Sequence, residues 1–257
     1  MTHDAGTAPT RGLGSRLLDR MFARGTVTEV EQIAARMRRV RIGGEGVAGL
    51  AWTPGQQVRL HVNELFAASS WKPGALGDVL RTYSVWDYDA SGVLDLCVFD
   101  HGGTGPGGRW GREAEPGLSV RLGKPEGSMT PRREAAYHVF VGEETAQVAF
   151  GPMLSALGDD ARVFGAVETA TEDDRLPLPR ADDIAWTERG DRSAASSDSL
   201  VESVRGLALP DEPGIAYVAG EARTVQAVRA HLVRDRGWPR RSVLVKPFWT
   251  PGKKGME

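Results

Sequence analysis

The first half of the chain, after a short N-terminal stretch, alternates hydrophobic and polar residues with a period of two. Because successive side chains of a β-strand point to opposite faces, this alternation predicts strands with one buried face. The segments are short, and turns rich in glycine separate them, as at 43–46 and 89–92. Such spacing is typical of a small barrel. We predict an antiparallel six-stranded β-barrel over 25–131. Its strands are 26–31, 37–42, 58–62, 81–85, 93–100 and 120–122.

The pattern changes after a linker at 130–134. From there, short apolar segments alternate with longer segments in which apolar residues recur every three or four positions. Strands that alternate with helices pair in parallel, so the pattern predicts an α/β Rossmann-like domain with a parallel sheet and a C-terminal tail over 135–257. The predicted strands are 137–141, 162–168, 184–186, 215–219 and 242–246, and the predicted helices are 146–157, 199–207 and 222–236.

Residues 1–24 precede the barrel as a tail and a short helix. The first twelve residues are small and polar, so we expect them to be disordered. Over 13–23, leucine, methionine and phenylalanine recur at helical spacing with arginines between them. We predict that this segment forms a helix that packs against the barrel. Contact with a membrane or a partner protein is the alternative for a basic amphipathic helix.

Composition and charge narrow the classes of function. The formal net charge of −2 predicts no general affinity for nucleic acid or an anionic membrane. No apolar run is long enough to span a membrane and no signal peptide is visible, so we expect a cytoplasmic protein. The single cysteine, Cys97, excludes an intramolecular disulfide and a cysteine-built metal site or iron–sulfur cluster. No metal site is predicted, and without a coiled-coil pattern a monomer is expected.

The strand that begins at Arg81 carries the first candidate chemistry. Arg81 offers a planar fork of donors to a phosphate. On a strand, the hydroxyls of Thr82 and Ser84 lie on one face and the ring of Tyr83 on the other, followed by Val85. This arrangement lets hydroxyl and backbone groups bond the edge of a ring system. It is the first part of a predicted flavin dinucleotide site.

A glycine cluster supplies the second part of that site. It brings backbone N–H groups close to a charged group, and a helix that starts near Pro106 would direct its N-terminus at a pyrophosphate. His101 could contact the phosphates or the adenine, or could be a hydrogen-bonded turn residue. Trp110 could flank the adenine or lie in the core. The candidate residues of this segment are His101, Gly102, Gly105, Pro106, Gly107, Gly108 and Trp110.

The ordered set of motifs resembles the siderophore-interacting protein family, bacterial FAD-dependent ferric-siderophore reductases related to ferredoxin reductases. In the barrel, the resemblance rests on Arg-Thr-Tyr-Ser-Val at 81–85, Gly-Pro-x-x-x-Trp at 105–110 and Gly-x-Pro-x-Gly at 123–127. In the second domain it rests on the turns at 142–146 and 217–222 and on the terminal 248–253. The resemblance implies bound FAD, electrons from NAD(P)H or ferredoxin, and a ferric siderophore as substrate.

The resemblance also implies sites in the second domain, which has no Gly-x-Gly-x-x-Gly fingerprint. Glu143 and Thr145 would either cap their helix, the default, or line a nicotinamide pocket. Trp249 would shield the flavin or anchor the tail. The candidate nicotinamide-binding residues are Gly142, Glu143, Thr145, Gly220 and Glu221, and the candidate substrate-binding residues are Lys72, Arg132, Lys246 and Lys253.

The sequence departs from the family pattern at Trp86, Phe248, Thr250 and Pro251. Two alternatives to a siderophore reductase remain. One, supported by the departures at Trp86, Thr250 and Pro251, is a flavoenzyme of secondary metabolism that acts on an organic substrate. The other is a non-catalytic protein that binds a flavin or a siderophore.

Overall fold

The structure is a computed structural model that describes residues 22–62 and 80–253. The first domain is a closed barrel with the strand order β1-β2-β5-β4-β3-β6, and every neighbouring pair is antiparallel. The antiparallel six-stranded barrel predicted from the sequence is therefore confirmed. Its elements are β1 (Ala23–Ala34), β2 (Met37–Gly43), β3 (Gln57–His61), β4 (Leu80–Asp89), β5 (Val93–Phe99), helix α1 (Pro106–Glu113) and β6 (Ser119–Leu122).

Period-two alternation fills the barrel interior. On β2, Val40 and Ile42 are fully buried while the arginine between them is partly exposed. Leu94 and Leu96 of β5 meet them inside the barrel. Helix α1 adds Trp110, which is 2% exposed and belongs to the same apolar cluster. The tryptophan therefore contributes to the core of the barrel.

The second domain is a five-stranded parallel sheet with the order β11-β10-β7-β8-β9. The predicted parallel α/β architecture is confirmed. Its strands are β7 (His138–Glu143), β8 (Val163–Thr169), β9 (Ile184–Glu188), β10 (Ile215–Glu221) and β11 (Val243–Trp249). Its helices are α2 (Glu144–Ser155), α3 (Asp198–Arg205) and α4 (Ala222–Ala230), which continues as a π-helical turn over His231–Asp235. Short 3₁₀ turns occupy Glu172–Asp174, Ala181–Asp183 and Arg240–Ser242.

The order of these strands reverses between β7 and β10, and ligands of such sheets bind beyond the carboxyl ends of the strands at this point. Both strands are buried along almost their whole length because helices cover both faces of the sheet. On one face, Phe150 and Met153 of α2 share a buried cluster with Met37 and Cys97 of the barrel. The two domains therefore pack through a common apolar contact.

Trp86 contributes to this contact between the domains. A Cβ added to Gly151 of α2 would lie 2.4 Å from the Trp86 ring, so the glycine allows the indole to pack directly on the helix. The departure from the family pattern at Trp86 thus has a packing explanation.

Several boundaries differ from those predicted. Ala23, the last residue of the predicted N-terminal helix, begins β1, and residues 13–21 of that prediction lie outside the described residues. Strand β11 continues to Trp249, beyond the predicted end at Lys246. An edge strand tolerates Pro247 because one side of its backbone has no strand partner. Within 22–62 and 80–253, no helix is long and apolar enough to cross a membrane.

Candidate cofactor and substrate cleft

A cleft of about 690 Å³ separates the barrel from the carboxyl edge of the parallel sheet. Arg81 and the segment that follows His101 both line it, so the two halves of the predicted flavin site meet in space. The sheet domain contributes the turn after β7, the loop after β9 and the end of β11. The predicted site residues that line the cleft are Arg81, Thr82, Tyr83, Ser84, His101, Gly107, Gly108, Glu143, Thr145, Lys246, Trp249 and Lys253.

The other predicted residues do not form its wall. Val85 and Trp110 are buried in the barrel core, and Arg132 is exposed on the linker, where its backbone N–H donates to the Tyr217 hydroxyl at 2.7 Å. Lys72 lies outside the described residues. Six further predicted residues are not among those that line the cleft: Gly102, Gly105, Pro106, Gly142, Gly220 and Glu221.

Tyr83 joins strand β4 to the start of helix α1. Its hydroxyl donates to the backbone carbonyl of Gly107 at 3.1 Å, and its ring packs on Trp110 with the centroids 5.6 Å apart. A Cβ at Gly107 would lie 2.9 Å from that hydroxyl, so only glycine permits the close approach. Burial raises the pKa of the Tyr83 phenol, which therefore stays protonated and remains a donor.

The turn before α1 is held by hydrogen bonds of its own. Asp100 accepts from the backbone N–H of Gly102 at 2.9 Å and from Arg112 at 2.7 Å, and these bonds lower the pKa of its carboxyl group. His101 accepts from the N–H of Gly103 through Nδ1 at 3.1 Å. His101 is therefore both a turn residue and part of the cleft wall, with Nε2 as its remaining polar atom.

The N-terminus of α1 has no side-chain cap. Gly105 precedes the helix, Pro106 occupies its first turn, and no acidic residue lies in that turn. The first N–H groups of such a helix lack intrahelical partners and carry the positive end of the helix dipole. Gly107 and Gly108 bring this end to the cleft beside Arg81. This donor set fits the pyrophosphate of a dinucleotide such as FAD.

Glu143 caps helix α2 from the end of β7. Its carboxylate accepts from the backbone N–H of Thr145 at 3.0 Å, from the Thr145 hydroxyl at 2.5 Å and from the indole N–H of Trp249 at 2.9 Å. The side chain is 2% exposed. Burial, reinforced by the neighbouring Glu144 carboxylate, raises the pKa of Glu143 to about 7 against the lowering effect of these hydrogen bonds.

Glu221 plays the corresponding role at the end of β10. It caps α4 by accepting from the backbone N–H groups of Arg223 and Thr224, each at 3.0 Å. It also accepts from the N–H of Ser196 at 3.0 Å. Capping, the default interpretation of Glu143, is therefore observed at both strand ends, and Glu143 lines the cleft as well.

Sequence reasoning missed an ionic cluster built on two buried acids, which we call the Arg36–Glu144 cluster. It consists of Arg36, Glu144, Asp174 and Arg189. Glu144 is 1% exposed and binds Arg189 at 2.6 Å and Arg36 at 2.9 Å, and Arg36 also binds Asp174 at 2.8 Å. Burial opposes ionisation of Asp174, but the hydrogen bond from Arg36 keeps the pKa of that carboxyl below its usual range. No local pattern links residues 108 positions apart, so the sequence carries no signal for it.

Cations and a thiol complete the cleft. Lys246, in the edge strand β11, is half-buried, whereas Arg192 and Lys253 are exposed. These three side chains form the cationic rim. Cys97 is 5% exposed, and burial raises the pKa of its thiol, so the thiol is inert. In the described ranges, no cluster of three or more His, Cys, Asp or Glu side chains is arranged to hold a metal ion.

Comparison with known proteins adds independent findings. The model of the siderophore-interacting FAD-binding domain matches residues 26–129, and the siderophore-interacting protein model matches 135–252. The ferric vibriobactin reductase ViuB of Vibrio cholerae is 29% identical over 180 residues, which cover 68% of this chain and 66% of ViuB.

Two solved structures agree with these matches. A siderophore utilization protein from T. fusca is 25% identical and superimposes with a TM-score of 0.75, covering 92% of this chain and 95% of that one. Phthalate dioxygenase reductase is 15% identical and superimposes with a TM-score of 0.65. The match covers 91% of this chain and 70% of that reductase. The latter similarity establishes a ferredoxin-reductase-like fold.

Proposed function

Because this chain belongs to the siderophore-interacting protein family, we propose that it is an FAD-dependent oxidoreductase that reduces Fe(III) in ferric siderophores. The observation that carries the proposal is the cleft itself. It combines Arg81 and an uncapped helix N-terminus with a cationic rim on the opposite wall. The ferric vibriobactin reductase ViuB is a relative whose name describes the same reaction.

In this proposal the barrel holds the cofactor. Arg81 and the N–H groups at the start of α1 bind the pyrophosphate, and His101 stands beside them. Thr82 and Ser84 supply hydroxyl and backbone groups to the edge of the ring system, and Trp249 covers the ring from the sheet domain. FAD, when bound, takes up two electrons and passes them on one at a time.

The cationic rim binds the substrate. Lys246, Lys253 and Arg192 attract an anionic ferric chelate and hold it at the mouth of the cleft. One electron converts Fe(III) to Fe(II), which siderophores hold more weakly, so the metal is released. Electrons reach the flavin from NAD(P)H or ferredoxin. Arg132 has no place in this rim because it lies outside the cleft wall, and Lys72 falls outside the described residues.

A siderophore reductase is favoured over a flavoenzyme of secondary metabolism. Of the departures that suggested the alternative, Trp86 packs on Gly151 between the domains. Thr250 and Pro251 line the cleft without removing its cations. The rim therefore remains suited to an anionic chelate.

The test is anaerobic reduction followed by mixing with ferric chelates. The protein is loaded with FAD, which gives an absorbance band near ~450 nm, and is reduced by light. It is then mixed with ferric hydroxamate, catecholate and citrate complexes, and Fe(II) is trapped with a colorimetric chelator. We expect reoxidation of the flavin together with stoichiometric Fe(II) for at least one class.

Two variants make this test specific to the rim. Lys246→Ala should slow the reaction with the anionic chelate, and Arg133→Ala, an exposed linker arginine outside the cleft, should not. A colourless protein that takes up no FAD, or a reduced flavin that no ferric complex reoxidises, would overturn the proposal.

A further inference from the structure

The crevice at the point where the strand order reverses is occupied by the protein's own side chains. It lies between the ends of β7 and β10, at Glu143 and Gly220, and we call it the switch-point crevice. A Cβ at Gly220 would lie 2.6 Å from Oε1 of Glu143, and Gly220 has a φ of +119°. A glycine at this position therefore leaves room for the Glu143 carboxylate, which fills the base of the crevice.

Trp249 covers the same crevice from β11. Its backbone pairs with Glu221 at the end of β10, and its indole N–H donates to Oε1 of Glu143 at 2.9 Å. The Thr145 hydroxyl donates to the same oxygen at 2.5 Å. The Thr145 hydroxyl and the Trp249 indole therefore hold the Glu143 carboxylate in place, and the same hydrogen bond holds the indole over the crevice. In sheets of this type a nicotinamide lies in this crevice, so it would have to displace Trp249.

The place for a pyrophosphate at the start of α2 is also taken. In dinucleotide-binding sheets the phosphates sit at this helix N-terminus. Here Glu143 caps the helix and Glu144 follows it, both buried. Glu144 is neutralised by Arg36 and Arg189, but Glu143 makes no ion pair with any residue in the described ranges. A pyrophosphate would bring further negative charge against a buried acid without a cationic partner.

The place for the adenosine half is filled in the same way. In dinucleotide folds an acidic residue at the end of the second strand accepts from a ribose hydroxyl. Glu168, at the corresponding place in β8, is fully buried. It accepts from the hydroxyl of Ser197 at 2.6 and 2.7 Å and from that of Ser199 at 2.9 Å. The N–H of Ser197 is held in turn by the Thr224 hydroxyl at 2.9 Å.

From these three occupied positions we infer that the sheet domain does not bind NAD(P)H across the switch-point crevice, and that Trp249, held by Glu143, excludes the nicotinamide. The inference rests on the proposed flavin function. It excludes NAD(P)H from the two classes of electron donor and leaves a redox protein. The flavin is then reduced by a redox protein that carries single electrons, and each donor molecule is oxidised by one electron. Two donor molecules and protons from solvent complete a two-electron reduction.

Binding of the dinucleotide provides the test. Isothermal titration of the FAD-loaded protein with NADP⁺ and NAD⁺ measures affinity directly, and stopped-flow reduction by NADPH and NADH measures whether the rate saturates. In the wild-type protein we expect no saturable binding up to about 1 mM and a rate that rises linearly with concentration. Trp249→Ala opens the crevice, and we expect saturable binding that is at least about tenfold tighter than the wild-type limit.

A second variant of Trp249 and a control variant of Trp186 separate the role of the hydrogen bond between Trp249 and Glu143 from the role of the aromatic ring. Trp249→Phe keeps a ring but loses the hydrogen bond to Glu143, and should lie between wild type and Trp249→Ala. Trp186→Phe is the matched control, because its indole N–H also donates, to the Ala181 carbonyl at 3.1 Å, but it lies outside the cleft. We expect it to behave as wild type.

The outcomes distinguish this inference from the proposed function. Saturable binding of either nucleotide to the wild-type protein with a Kd below about 1 mM would overturn the inference, as would the absence of tighter binding by Trp249→Ala. Neither result affects reduction of ferric chelates by the photoreduced protein. If the photoreduced wild-type protein fails to release Fe(II), the proposed function fails, whatever the nucleotide titrations give.

Discussion

The N-termini of α1 and α2 face the same cleft but present opposite chemistry to it. Helix α1 begins with Gly105 and Pro106, has no side-chain cap and carries no acid in its first turn. Helix α2 is capped by Glu143 and starts with Glu144. Both helices carry a positive dipole end. The residue at the cap position therefore decides whether the free N–H groups of a helix can bind an external anion, as in α1, or already bind a side chain, as in α2.

This difference assigns separate tasks to the two domains. The barrel keeps an open anion site beside Arg81, which suits the cofactor phosphates. The sheet domain uses carboxylates from its own chain to satisfy the ends of α2 and α4. The same fold element is thus left without a side-chain cap in one domain and is satisfied by the protein's own carboxylate in the other.

The largest expected effect is a loss of folding stability when Arg189, the cation beside the acidic N-terminus of α2, is removed. Arg189→Ala removes the closest partner of buried Glu144, and leaving a buried charge without that partner costs ~3–5 kcal/mol. Chemical denaturation of the FAD-free protein measures this loss. The control is Arg205→Ala, whose exposed ion pair with Glu202 is worth ~0.5 kcal/mol or less. Equal stability of the two variants would contradict the assigned role of the Arg36–Glu144 cluster.

The next effect concerns the open anion site of the barrel. Arg81→Ala should weaken FAD binding by about 100-fold, because a hydrogen bond to a charged group contributes ~1.5–3 kcal/mol. Quenching of FAD fluorescence on titration gives the affinity. Arg133→Ala serves as the control for loss of one positive charge at a distance from the cleft. If Arg81→Ala bound FAD as tightly as wild type, the proposal that Arg81 binds the pyrophosphate would be wrong.

A smaller effect is expected from giving α1 the kind of cap that α2 has. A Cβ at Gly105 meets nothing within 4 Å, so Gly105→Asp fits and places a carboxylate at the helix N-terminus. We expect FAD affinity to fall by about tenfold through charge repulsion while stability stays the same or rises slightly. Gly105→Asn supplies a cap of the same shape without charge. If Asn weakened binding as much as Asp, the cause would be steric rather than electrostatic.

The smallest effect concerns pH. The pKa of Glu143 is raised to about 7, so the folded protein holds this proton at pH values where the unfolded chain has lost it. Its contribution to stability is therefore fully present below about pH 4.5 and is lost as the pH rises through 7. The glutamine of the Glu143→Gln variant does not titrate, so the stability of this variant relative to wild type should rise between about pH 5 and pH 8. Denaturation curves at several pH values test it, and a constant difference between the two proteins would contradict it.

Local patterns predicted the architecture because they are properties of neighbouring residues. The period-two segments gave the barrel strands, and the alternation of apolar and helical segments gave the parallel sheet. Helix α1 was predicted at Pro106, where it begins. The segments 81–84 and 107–108 were placed in one site by their chemistry, and they line one cleft.

Contacts between distant residues could not be predicted in this way. Glu143 and Trp249 are 106 positions apart, and each was assigned to the cleft without any sign of the hydrogen bond that joins them. Glu144 lies in the motif at 142–146, but no local pattern indicates its ion pairs, because its two arginine partners come from other parts of the fold. The charge of Arg132 and its position in the linker between the domains predict a place in the substrate site, whereas the structure leaves it outside the cleft wall.

A crystal structure of the protein grown with both FAD and NADP⁺ tests the central claim most directly. The account predicts FAD pyrophosphate oxygens within hydrogen-bonding distance of Arg81 and of the first N–H groups of α1, with Trp249 still bound to Glu143 and no nucleotide at α2. A dinucleotide pyrophosphate at the N-terminus of α2, with the Trp249 indole displaced, would contradict it.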